Sequence, residues 1–175
     1  APKRRRTAEP SSTAASLVLR CGSEEQDGLR TSLASMWRDG TLCDVEILVD
    51  GRSFHAHRCL LAAESPYLKA LVTTTAMKER SGAIELKEIS AATYASALEF
   101  MYLREVTLAS QDELQPLLQA ASLLRCAALE SVVELAMAER LDATSSLRAL
   151  GLADHLNLPR LAEAATKIGL AEFVA

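Results

Sequence analysis

His57 and Cys59 stand two residues apart, close enough in sequence to be weighed as an imidazole base and a thiol nucleophile. No nucleophile elbow and no caspase-like signature surrounds them. His57 falls where a strand should meet a helix, a place that suits a half-buried structural histidine. His55 and His57 flank Ala56, so an extended backbone would turn both rings to one face, as a metal site needs. No third ligand is evident. The four cysteines, Cys21, Cys43, Cys59 and Cys126, form no C-x-x-C pair and fit no zinc-finger spacing. Gly22 and Gly28 are the nearest pair of glycines and do not make a phosphate-cradling loop. The residues therefore predict no catalytic site, no metal and no cofactor, and a chain that is not an enzyme.

Charge narrows the partners. Lys3, Arg4, Arg5 and Arg6 form a basic cluster, while residues 7–175 carry 15 basic against 23 acidic side chains. That body, at −8, is a poor match for a phosphate backbone, so direct nucleic-acid binding is not expected. No apolar run approaches the roughly 20 residues that span a bilayer, and no apolar core follows the basic start, so neither a membrane partner nor secretion is expected. The thiols should then be reduced, in cytoplasm and/or nucleus. Lys3–Arg6 is a candidate import signal.

The elements that hold these residues are mostly helical. The 175 residues include 30 Ala and 29 Leu, against 7 Gly and 5 Pro. Residues 1–15 read as a disordered basic tail. Ser16–Cys21 alternates weakly and suits a short strand. Asp27 looks like an N-cap, and Leu29, Leu33, Met36 and Trp37 follow on one helical face that Gly40 ends. Asp44–Phe54 changes period: Val45, Ile47 and Val49 alternate, and Asp50-Gly51 is a two-residue hairpin signal before Arg52–Ala56. His57–Ala63 is helical. Ser65-Pro66 opens another helix, which Thr73-Thr74-Thr75 should end in a loop. Ala83–Ile89 reads as a strand, Ser90 caps a helix to Leu103, and Val106–Leu108 is a short strand. Ser110 with Glu113 suggests a capping box for a helix to Leu124. A second helix covers 127–140, and residues 142–175 form a helical hairpin broken at Asn157-Leu158-Pro159.

Leu42-Cys43-Asp44-Val45, Gly51, Phe54, the run Ala56-His57-Arg58-Cys59-Leu60-Leu61-Ala62-Ala63, then Ser65, Tyr67 and Leu68 resemble the signature of BTB/POZ domains. The likeness continues through Ile84–Ile89 and Tyr94, Leu98, Phe100, Met101 and Tyr102, into the leucine-rich helices that end near Leu141. Leu68 departs from the family, which usually has Phe there. The resemblance implies an α/β (α+β) fold over 16–141, with a small sheet flanked by a helical cluster. It implies a homodimer whose interface uses the helix of Leu29, Leu33, Met36 and Trp37, with Leu17–Arg20 able to add a strand to the partner's sheet. Asp44 and His57, at the two ends of the hairpin signature, are expected to be buried with polar partners.

Met77-Lys78-Glu79 resembles the hydrophobic–any–Glu motif by which BTB adaptors grip a cullin-3 class scaffold. Met77 is the flexible apolar anchor and Glu79 the charge, on a loop before the Ile84 strand. Tyr67 and Leu68 would help line that cullin-binding surface. Leu141-Asp142 and the Leu147, Leu150, Asp154, Leu158, Leu161, Phe173 pattern resemble the start of a BACK domain. Together these imply a homodimeric substrate adaptor for a cullin-3 class ubiquitin ligase, with an unidentified substrate protein. The alternative is an oligomerisation scaffold or transcriptional co-regulator without ligase association.

Overall fold

The computed structural model describes residues 16–21, 28–78 and 83–173. The basic tail, the Asp27 cap and Glu79 lie outside the described residues.

Two small sheets sit among helices. In one, β1 (Leu17–Arg20) pairs antiparallel with β5 (Glu105–Leu108), so within one chain the first strand lies on its own fifth strand. In the other, β2 (Val45–Val49) lies between antiparallel β3 (Arg52–Ala56) and parallel β4 (Ile84–Leu86). The period-two pattern of β2 turns Val45, Ile47 and Val49 inward, and all three are buried. Asp50 and Gly51 both have positive φ, 48° and 74°, which is the backbone of the predicted tight turn. β4 is shorter than Ala83–Ile89 because the chain turns at Glu88, with φ 70°.

Helix α1 (Gly28–Arg38) precedes the larger sheet, and α2 (Arg58–Glu64) and α3 (Pro66–Lys78) follow its hairpin. Helix α4 (Ala91–Leu103) runs through the centre, with Tyr94, Leu98, Phe100, Met101 and Tyr102 all buried. Then come α5 (Leu114–Leu123), α6 (Ala127–Ala138) and the hairpin α7 (Ala143–Leu156) and α8 (Pro159–Phe173). The fold is mixed α/β, a small sheet flanked by a helical cluster, with C-terminal helices.

Three caps explain helix starts. Ser65 stands before Pro66 as predicted, and its hydroxyl accepts the Leu68 N–H at 2.9 Å. The same hydroxyl donates to the Leu124 carbonyl, tying α3 to the end of α5. Ser90 accepts from the Thr93 N–H at 3.1 Å. Asp142 and Ser145 make a reciprocal capping box on α7. Bonds from the Ser145 N–H and hydroxyl hold the Asp142 carboxyl below its ordinary range, so this cap works at neutral pH and is lost as pH falls through the folded value. The expected box at Ser110 does not form: Ser110 makes no capping bond, and a 3₁₀ turn over Gln111–Glu113 leads into α5.

The Thr73-Thr74-Thr75 run does not begin a loop. Helix α3 continues to Lys78. The Thr73 and Thr74 hydroxyls bond back to the Lys69 and Ala70 carbonyls at 2.7 and 2.8 Å, so they are satisfied inside the helix and do not draw the backbone into a turn.

The C-terminal hairpin docks on α6. Leu158, Leu161 and Ala165 are buried. Leu158 cannot cap α8 with its own side chain. Buried Glu134 of α6 does so instead, accepting the Leu161 N–H at 3.1 Å.

Candidate functional site

His57, between β3 and α2, is a closed structural residue, 4% exposed. Its backbone N–H donates to the Tyr102 hydroxyl at 2.9 Å. The hydroxyl proton is then available to Nδ1, 2.8 Å away, and Nε2–H to the Thr41 carbonyl at 3.0 Å. This network assigns the Nε2–H tautomer. Trp37 stacks on the Tyr102 ring, centroids 4.5 Å apart and planes within 7°.

Neither ring nitrogen is left for a metal or a proton relay, and His55 is exposed on the strand instead of converging with His57. The thiol beside His57 is Cys43, with Sγ 4.0 Å from Nε2. Burial and the neighbouring Asp44 carboxylate push that thiol's pKa up, which opposes a nucleophilic role. Among the described residues no group of His, Cys, Asp and Glu is arranged to hold a metal ion.

The Tyr102 network yields a paired test. Tyr102→Phe leaves the His57 N–H and Nδ1 buried without their partner and should cost about 1–3 kcal/mol. Tyr94→Phe removes a buried hydroxyl that has no hydrogen-bond partner among the described residues and should be close to neutral. Urea denaturation of both variants checks the contrast; equal losses would contradict the network.

Asp44 differs from expectation. Its side chain is exposed, not buried. The carboxylate works at the surface, where Oδ1 accepts the Arg58 N–H at 2.7 Å and caps α2. His57, the formal N-cap, makes no side-chain capping bond there.

The predicted dimer face divides in two. Leu33 and Trp37 pack against the core, on the side of α1 that buries Ala34. Arg30, also on that side, donates to the Met101 carbonyl at 2.6 Å and to Glu64 at 3.0 Å. Leu29, 68% exposed, and Met36, half-buried, lie on the flank. Leu42, beyond the end of α1, is 74% exposed.

The predicted cullin-binding residues also separate. Tyr67 is half-buried against the core, and Leu68 is fully buried, so Leu68 fills the core and leaves the surface. Met77 stands in the last turn of α3, not on a following loop.

Three ties lie beyond what local patterning foretells, the last of them with a single sign. Arg58 reaches the Val72 carbonyl of α3, Glu64 bridges two arginines, and Glu134 caps α8. An acid inside the apolar run Val132–Ala136 was the one visible sign of the last.

Comparisons with known proteins agree with this architecture. The family model described as BTB/POZ domain matches residues 33–141. Zinc finger and BTB domain-containing protein 7A of Gallus gallus is 35% identical over 109 residues, 62% of this chain and 20% of that protein. Kelch-like protein 17 of Homo sapiens is 27% identical over 180 residues, 99% of this chain and 28% of that protein. The chain thus spans less than a third of either relative. The BTB (Tramtrack and Bric a brac) domain of human gigaxonin superposes with a TM-score of 0.52 at 23% identity, covering 76% of this chain and 97% of that one. The signature residues, the hairpin between Asp44 and His57, the central α4 and the family match over 33–141 place this chain in the BTB/POZ domain family.

Proposed function

We propose that the chain is a homodimeric protein-interaction module that acts as substrate adaptor for a cullin-3 class ubiquitin ligase. One observation carries this reading over its rival: the likeness to a Kelch-like protein runs through the C-terminal hairpin, over 99% of the chain. The likeness to the zinc-finger relative spans only 62%. In this reading α7 and α8 are the BACK-like part, and Met77, in the last turn of α3, forms the scaffold-binding motif with Glu79, two residues on in sequence. The second reading, an oligomerisation scaffold or transcriptional co-regulator, is favoured by that zinc-finger relative's higher identity, 35% against 27%. The ligase chemistry would reside on partner proteins. Cys21, Cys43, Cys59 and Cys126 are free thiols, which suits work in cytoplasm or nucleus. Retention of a cullin-3 N-terminal fragment by the immobilised chain tests the proposal; no retention by a folded dimer would favour the scaffold.

For dimerisation the split face of α1 gives a sharper variant than Trp37, whose ring also supports the fold. Leu29→Lys with Met36→Lys places two like charges on the exposed flank and should shift the protein from dimer to monomer. Light scattering at about 50 μM reads the change. A wild-type chain that is monomeric there would overturn the interface assignment.

A further inference from the structure

The second half of α3 is a poor helix by composition. Val72, Thr73, Thr74 and Thr75 are four β-branched residues in a row, each restricted at χ1 against the preceding turn. The helix nonetheless runs on through Met77 to Lys78. The threonine hydroxyl bonds to Lys69 and Ala70 are made within the helix and vanish when it frays. A third bond comes from outside: Arg58 Nη1 donates to the Val72 carbonyl at 2.9 Å, in a half-buried setting.

That guanidinium is itself fixed. Arg58 Nε donates to the Asp44 carbonyl at 3.0 Å, and the Arg58 N–H is held by Asp44 Oδ1. The side chain therefore joins the start of the β2–β3 hairpin to α3, five residues before Met77. Its planar fork supplies two donors at a fixed spacing, which a lysine cannot do.

We infer that Arg58 is a positioning residue for the end of α3: by holding the Val72 carbonyl it keeps the β-branched segment helical and sets where Met77 stands. The consequence for a partner rests on the cullin reading above; the structural statement does not.

Hydrogen exchange on the full chain separates the two. In Arg58→Ala, the amides of residues 74–78 should lose protection about tenfold or more, while β2 and α4 keep theirs. Adding Thr73→Ala and Thr74→Ala should restore that protection, because alanine is the best helix former. A merely structural role would lower protection throughout and would not respond to the alanines. If Arg58→Ala does not fold, Arg58→Lys is read by the same criteria. Unchanged protection at 74–78, or no recovery with the alanines, would overturn the inference. Against a cullin-3 N-terminal fragment the same series should lose about tenfold in affinity and regain it, since apparent affinity follows the competent fraction. A wild type that does not bind would sink the cullin reading and leave the exchange result to judge Arg58.

Discussion

Glu64→Ala is expected to destabilise the fold by about 3–5 kcal/mol. The Glu64 carboxylate is only 7% exposed and accepts from two guanidiniums, Arg30 at 3.0 Å and Arg104 at 2.8 Å, each 28% exposed. These three residues tie α1, the end of α2 and the end of α4 together. Removing the acid leaves two half-buried cations beside each other. Among the described residues Arg104 Nη1 is already buried without a hydrogen-bond partner, so they offer the cluster no spare acceptor. The arginines are not exposed enough for water to screen most of the loss, in contrast to the surface pair Arg20–Glu105. A fall in melting temperature of about 10 °C should result for a chain of this size. Glu64→Gln keeps an acceptor but not the charge and should lie between wild type and Glu64→Ala. Calorimetric melting checks both; a Glu64→Ala shift of a degree or less would show that the cluster is electrostatically idle.

Local patterns made much of the fold legible. The alternation of Val45, Ile47 and Val49, the turn at Asp50-Gly51 and the Ser65-Pro66 helix start each need only neighbouring residues to act, and each stands in the structure as read. The misread segments failed for local reasons with a tertiary answer. The threonine run has weak helix propensity, yet it stays helical, its hydroxyls satisfied one turn back and Arg58 bonded to the Val72 carbonyl. Ser110 and Glu113 have capping-box spacing, yet a 3₁₀ turn occupies the place. What no local pattern encodes is the set of distant ties. His57 meets Tyr102 across 45 residues, Arg30 meets Glu64 across 34, and Glu134 meets Leu161 across 27. The same limit applies to the candidate surfaces. Periodicity grouped Leu29, Leu33, Met36 and Trp37, but only packing on α4 separates the two that serve the fold from the two on the flank. Leu68 likewise reads as an apolar neighbour of Tyr67 until the core closes over it.

Met77→Ala should weaken cullin binding by about 2 kcal/mol, roughly thirtyfold, without changing dimerisation or melting. A thioether on a flexible, unbranched side chain can fill an irregular apolar groove, and truncating such an anchor forfeits most of that contact. Glu79→Lys should weaken binding as well, by reversing the charge offered to a polar or basic neighbour. Both changes leave the residues of the His57–Tyr102 network and the Glu64 cluster in place, so the fold should report no loss.

Calorimetric titration of the wild-type chain with the N-terminal fragment of a cullin-3 class scaffold tests the central claim most directly, with circular dichroism as the folding control. The adaptor reading predicts saturable binding by wild type and about thirtyfold weaker binding by Met77→Ala at unchanged melting. Absence of binding by the folded wild type, or equal binding by wild type and both variants, would contradict it.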